Sequence, residues 1–198
     1  MSSLAEVILK RIRCLPEGSL LSARDLLHLG SRGAVNQAFS RLAKDEHLLR
    51  VARGLYVAPV ATRFGKRPPA TERVIHSLIL ATHEVIVASG AQSANALGLT
   101  RQMPVQEIFL TSGRSRILHL GKTEIVIKHA PKWQMALGAS YAGQAVRALA
   151  WLGPHHTKEV AVKLKKLLPA SEWRALQSTR SLLPAWMAEL IRHTRWDL

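Results

Sequence analysis

The 198-residue sequence predicts an α+β chain. Three observations carry that expectation. Helical apolar periods open and close the chain, short β-type runs punctuated by glycine occupy its middle, and 47% apolar residues suffice for a real core.

The first four elements follow from the N-terminus. Leu4, Ile8, Ile12 and Leu15 fall on one helical face, and Pro16-Glu17-Gly18 ends that helix. Ser22-Ala23-Arg24-Asp25 has the form of a capping box, which predicts a second helix over 23–29 closed by Gly30. Ser31 caps a third helix from Arg32 to about Asp45, with Val35, Ala38, Phe39 and Leu42 as its apolar stripe. Its other face shows Arg32, Asn36, Gln37, Ser40, Arg41 and Lys44, with no carboxylate before Asp45. Leu48 to Val57 then alternates around Arg53-Gly54, which predicts a short hairpin.

Two helices joined through a glycine turn, the second with a basic polar face, form the helix-turn-helix pattern, and a hairpin directly after it is a wing. Arg can bridge O6 and N7 of guanine, Asn and Gln can bridge N6 and N7 of adenine, and Lys and Ser can hold phosphates. Arg32, Asn36 and Gln37 are therefore expected to read bases in the major groove of double-stranded DNA, with Ser31, Ser40, Arg41 and Lys44 beside them. The wing is expected to bring Arg50, Arg53 and Tyr56 to the phosphate backbone or the adjacent minor groove. A merely solvated basic face is the competing reading; the agreement of cap, turn, hairpin and charge favours DNA.

Thr62-Arg63-Phe64-Gly65-Lys66-Arg67-Pro68-Pro69 is polar and proline-bearing, as linkers are. Residues 1–60 are thus expected as a winged helix-turn-helix domain, 61–70 as a linker and 71–198 as a mixed α+β domain ending in helices. Arg63, Lys66 and Arg67 either track a phosphate backbone or keep the linker in solvent. The last domain is expected to hold helices over 71–82 and 91–97, strands over 84–88, 105–111, 114–120 and 124–129, and helices over 142–152, 157–168, 171–178 and 184–193. Arg101, Arg114, Arg116, Lys122, Lys128 and Lys132 cluster around the strands with only Glu107 and Glu124 nearby. They form a second DNA surface, Arg114 and Arg116 foremost, or a dock for an acidic partner; a small winged helix gains affinity from added phosphate contacts, which favours DNA. Lys158, Lys163, Lys165 and Lys166 read as a solvated helix face.

Twenty-eight Lys and Arg against 13 Asp and Glu leave a net charge of +15, divided +7 before residue 71 and +8 after it. Such a chain seeks a polyanion. Membrane is the weak option, because no uncharged stretch reaches the roughly 18–20 apolar residues of a span. Lys10, Arg11 and Arg13 also follow the first apolar stretch instead of preceding it, so no secretory signal is read and a cytoplasmic place is expected. The single cysteine, Cys14, excludes an intramolecular disulfide and is expected to be partly packed. His76 and His83, or His155 and His156, lack the Cys or carboxylate set of a zinc site. Gly121-Lys122-Thr123 imitates the end of a phosphate loop, but Arg116 stands where its first glycine belongs, so a hairpin turn is expected. His83-Glu84 lacks the second His of a metalloprotease helix, and no Gly-x-Ser-x-Gly elbow occurs. No catalytic residue, cofactor or metal is therefore expected.

Ser22-x-x-Asp25-Leu26-Leu27, the run from Gly30 to Leu42, and Leu49 to Tyr56 resemble the N-terminal winged helix of AbiEi-type antitoxins. Ser89 to Leu99, Pro104 and Ile108 to Gly113 resemble the start of that family's C-terminal domain. The family often has Gly between the third helix and the wing, where this chain has Glu46-His47. The resemblance implies the antitoxin of a bacterial type IV toxin–antitoxin pair, which binds inverted repeats in its own promoter, represses the operon and counteracts a nucleotidyltransferase-like toxin. Inverted repeats in turn imply a dimer on DNA. Two other readings stay open: a protein that neutralises its toxin by direct contact, and a regulator with a ligand-sensing C-terminal domain and no toxin.

Overall fold

The computed structural model describes residues 3–193 of a mixed α+β chain whose C-terminal part is rich in helix. The chain divides into two compact units: residues up to Glu84 with Ile117–Ile125, and Val85–Arg116 with the chain from Val126 onward.

In the first unit, helix α1 (Leu4–Ile12) starts at a reciprocal Ser3–Glu6 capping box and buries Ile8 and Ile12. Ser22 and Asp25 form the second box, but the segment they open, Ala23–Leu29, winds as a 3-10 helix. Helix α2 (Arg32–Lys44) buries Val35, Ala38, Phe39 and Leu42, the expected stripe. Strands β2 (Leu49–Ala52) and β3 (Leu55–Val57) close the expected hairpin at Arg53-Gly54. A two-residue strand too short to show a period, β1 (Leu21–Ser22), pairs antiparallel with β3 and sets Leu21 opposite Tyr56.

The exit from α2 explains the missing glycine. The His47 amide donates to the Leu42 carbonyl at 2.8 Å and the Glu46 amide to Ala43 at 3.3 Å, the two bonds of a Schellman cap. That cap needs a left-handed residue at position 46, and Glu46 supplies it at φ 54°.

Two boundaries differ from those expected. Residues 60–67 are no linker: β4 (Val60–Thr62) and β5 (Gly65–Arg67) pair antiparallel around an Arg63-Phe64 turn. Every residue of 61–67 is exposed, so the strands carry no apolar alternation to betray them. Helix α3 (Thr71–Thr82) belongs to the first unit instead of opening the second. Its Ser77 hydroxyl accepts from the Leu20 amide at 2.8 Å, and its backbone passes so close to Gly18, at φ 80°, that a Cβ there would lie 2.5 Å from that of Arg73. Ala70, the N-cap of α3, has no side-chain cap of its own; the Glu17 carboxylate accepts its amide proton at 3.0 Å and one from Arg67 at 3.2 Å.

In the second unit, β6 (Ile86–Ala88) pairs antiparallel with β7 (Glu107–Thr111). Strands β8 (Arg116–Leu120) and β9 (Thr123–His129) meet at Gly121-Lys122, the expected hairpin turn, and Ile117–Ile125 of this hairpin counts with the first unit. Helix α4 (Gly90–Ala96) lies against α6 (Tyr141–Leu152) so tightly that a Cβ on Gly90 would fall 2.6 Å from the Arg147 carbonyl oxygen. Between the strands and α6 comes α5 (Lys132–Met135), one turn that no period announced. Helices α7 (Thr157–Leu167), α8 (Ala170–Ser178) and α9 (Ala185–His193) complete the core with Leu164, Trp173, Leu176, Met187 and Ile191.

The Ala70 amide, the Arg67 guanidinium and the charges of Arg67 and Arg73 hold the Glu17 carboxyl below its ordinary 4.5. A carboxylate depressed in the fold stabilises it above the unfolded pKa and loses that contribution as pH falls through the folded value, because the unfolded chain takes up the proton first. The stability gap between wild type and Glu17→Gln, read by urea denaturation, should be present at neutral pH and close as the pH falls below the ordinary carboxylate range; a pH-independent gap would remove Glu17 from this junction. Glu46→Gly, which relieves a left-handed non-glycine residue, should raise stability by about 1 kcal/mol in the same assay.

Candidate functional site

Helix α2 is the centre of the site because its two faces are so unlike. With the apolar stripe turned inward, Arg32, Asn36, Gln37, Ser40, Arg41 and Lys44 are all exposed. Among the described residues none of its three cations joins an ion pair. Ser31 has a structural task as well, since its hydroxyl oxygen accepts from the Ala34 amide at 3.3 Å. The first turn of α2 contains no acidic residue and begins with Arg32. A cation at the positive end of the helix dipole opposes local stability and concentrates positive potential where backbone N–H groups are already unpartnered. An anion is the natural complement of such an end.

The tertiary fold gathers further groups there. Arg24, Arg32, Asn36, Arg53 and Gly54 line one concavity of about 450 Å3 with Leu78, Ala81 and Thr82 of α3. Its one carboxylate, Asp25, is occupied by the Ser22 amide and hydroxyl at 2.8 and 2.9 Å. Arg24 was not among the expected site residues; the capping box that surrounds it marked the segment as scaffold and masked its exposed side chain. Arg53 sits in the hairpin turn and Arg50 on β2, both exposed.

Tyr56 is a correction. It is 6% exposed and stacks on Phe39 with centroids 4.9 Å apart and ring planes 13° apart, so its ring is core and not a phosphate contact. Its alternation partner on β3, Leu55, is the half-buried one. Cys14 also departs from expectation: it is exposed, with its Sγ donating to the Lys10 carbonyl at 3.6 Å.

The second basic set is divided. Arg101, Arg114, Lys128 and Lys132 are exposed in the second unit, while Lys122 lies on the β8–β9 turn counted with the first. Arg116 is half-buried and turns its Nη1 onto the Arg114 carbonyl at 3.1 Å. Lys163 and Lys166 are exposed on α7; the side chains of His156 and Lys158 lie outside the described residues. Arg147, 1% exposed, donates from Nη1 to the carbonyls of Gly138 at 2.8 Å and Gln134 at 3.3 Å, and burial pushes its pKa down to about 10. It braces the chain before α6 and adds nothing to a surface. Among the described residues no three His, Cys, Asp or Glu side chains come together as a metal site, and no helix is long and apolar enough to cross a membrane.

The chain is thus an α+β protein that concentrates exposed guanidinium, ammonium and amide groups on one helix of its first unit. Residues 7–176 match the pattern of a family of unknown function, DUF6088, and the chain belongs to that family. No curated protein matches the sequence. Among solved structures, the RV2827C protein from Mycobacterium tuberculosis is similar in fold, with a TM-score of 0.51 over 100% of this chain and 84% of that one, at 13% identity.

The stack separates two roles that a mutation can test. Tyr56→Ala should cost about 3–5 kcal/mol of stability in chemical denaturation, as large-to-small aromatic changes in cores do, while Tyr56→Phe should cost under about 1 kcal/mol. An Ala variant as stable as wild type would return Tyr56 to the surface.

Proposed function

We propose that this chain is a non-catalytic, sequence-specific double-stranded-DNA-binding protein that acts through a winged helix-turn-helix, as AbiEi-type antitoxins do, and represses its own operon. One observation carries the reading: the exposed polar face of α2 unites Asn36 and Gln37, whose amides can bridge base edges, with cations that join no ion pair among the described residues, and Arg24 and Arg53 flank its N-terminal end. Support for a winged helix comes from the order of elements, in which a capped helix follows a short turn and a three-stranded sheet β1-β3-β2 contributes the hairpin.

In this reading α2 lies in the major groove. Arg32, Asn36 and Gln37 meet base edges, Ser40, Arg41 and Lys44 continue along the groove toward phosphates, and Arg24, Arg50 and Arg53 hold the backbone beside the N-terminal turn. In the second unit Arg114, which is exposed, is the candidate phosphate contact by itself, while Arg116 is turned onto the Arg114 carbonyl. The antitoxin part of the proposal, including opposition to a nucleotidyltransferase-like toxin and a dimer meeting on inverted repeats, rests on the sequence resemblance.

Electrophoretic mobility shift on the region upstream of its own reading frame tests the DNA part. Replacing Arg32, Asn36 and Gln37 together by Ala should cost about 1–3 kcal/mol per lost bidentate contact and relax the sequence preference. Arg50→Ala and Arg53→Ala should instead weaken binding to all sequences and lower the salt slope by about one unit per lost phosphate contact. A triple variant with wild-type affinity and preference sinks the assignment of α2. Co-expression with an adjoining nucleotidyltransferase-like gene tests the antitoxin part, with rescue of growth as the expected result; failure to rescue would leave a DNA-binding regulator without a toxin.

A further inference from the structure

The β4–β5 hairpin ends in an aromatic side chain that serves no core. Phe64 is 85% exposed at the tip, and the Arg63 guanidinium lies over its ring at 4.6 Å. The turn beneath it is ordered: the Thr62 hydroxyl donates to the Gly65 carbonyl at 2.8 Å and accepts from the Phe64 amide at 3.2 Å. An isolated two-stranded hairpin is marginal in water, and this one is tied down at its base. Lys66 Nζ donates to the Glu46 carbonyl at 2.9 Å, and Arg67 pairs with Glu17 at 3.2 Å. Glu46 is the residue that ends α2, so the hairpin is tethered at the C-terminal end of the helix whose N-terminal end adjoins the Arg53 turn. Helix α2 has 13 residues and spans about 20 Å, so the two hairpins bracket that length of helix.

We infer that Phe64 is an apolar wedge that enters between base steps of the duplex lying along α2, with Arg63 beside it on the phosphates. The inference rests on the DNA-binding reading proposed above and adds to it a mode of contact. A water-exposed aromatic at a hairpin tip adds nothing to the core of the free protein, whereas a ring between partly unstacked bases gains stacking, and a flanking cation supplies charge that a duplex requires. Arg67 is matched by Glu17 and Lys66 is bonded to the Glu46 carbonyl, which leaves Arg63 as the cation that recruits phosphate to the hairpin tip. A wedge of this kind kinks DNA and makes affinity depend on how easily the step unstacks, with pyrimidine–purine steps favoured.

The test uses the full chain and duplexes tiled across the region upstream of its reading frame, each carrying 2-aminopurine at a different step. Binding should raise the fluorescence at one step. Phe64→Ala should abolish that rise and weaken binding about tenfold, and Phe64→Leu, which keeps an apolar wedge, should retain both. The thermal midpoint of Phe64→Ala should equal that of wild type, since the ring touches no core. Retardation without any fluorescence rise, or an equal rise with Phe64→Ala, overturns the wedge while the DNA-binding reading stands. No retardation of any duplex overturns both. A change in the sedimentation of free Phe64→Ala would make the ring a protein contact and also overturn the proposal.

Discussion

Phe39 of α2 and Tyr56 of β3 lie nearly parallel, 4.9 Å apart, and on that contact depends which way the polar face of α2 turns. A helix with a stripe of four buried residues can still roll by a fraction of a turn against a small sheet; two stacked rings, each removing about 2–3 kcal/mol of apolar surface from water, define one orientation. Tyr56 is itself located by pairing on both sides, with Leu21 across from it on β1 and Arg50 on β2. The stack thus connects the helix to the strand that carries the Arg53-Gly54 turn, and the concavity shared by Arg24, Arg32, Asn36 and Arg53 follows from it. Function at one surface is set by packing at the opposite one.

A second junction decides how the first unit ends. Pro16-Glu17-Gly18 looks like simple punctuation after a helix, yet Glu17 supplies the cap that α3 lacks and Gly18 makes room for its first turn. Without a Cβ at 18, Arg73 and Val74 can approach the turn, and Val74, Ile75 and Leu78 reach the interior. The same carboxylate holds Arg67 and hence the base of the β4–β5 hairpin. One acidic residue, within the first 70 residues and their net charge of +7, ties the turn after α1 to β5 and to the start of α3.

The excess of positive charge is not spread evenly in its consequences. Arg147 is consumed inside the second unit, where small residues on α4 and α6 allow a close helix pair and its guanidinium braces the preceding turn. Arg116 folds back onto Arg114, and Arg67 is paired with Glu17. The cations of α2 have no such duty, and Arg32 runs against the helix dipole at the N-terminal end. A sequence that breaks a local rule at an exposed site, while obeying the rules for caps and apolar period around it, points to that site as the one under functional demand.

Local chemistry was enough to read α1, α2, the β2–β3 hairpin, α3, the Gly121-Lys122 turn and the helical end of the chain, because caps, apolar period and turn residues act within a few positions of one another. It was also enough to place six polar residues on one face of α2, since 3.6 residues per turn is a property of the backbone. Three things required the folded chain. Tyr56 and Arg50 both belong to strands, and only packing decided that the tyrosine ring faces Phe39 while the arginine faces water. The β4–β5 hairpin has no apolar alternation, so its existence depends on tethers from Glu46 and Glu17, 20 and 50 residues away from Lys66 and Arg67. The assignment of α3 to the first unit depends on a glycine 55 positions before Arg73, a contact that no window of sequence contains.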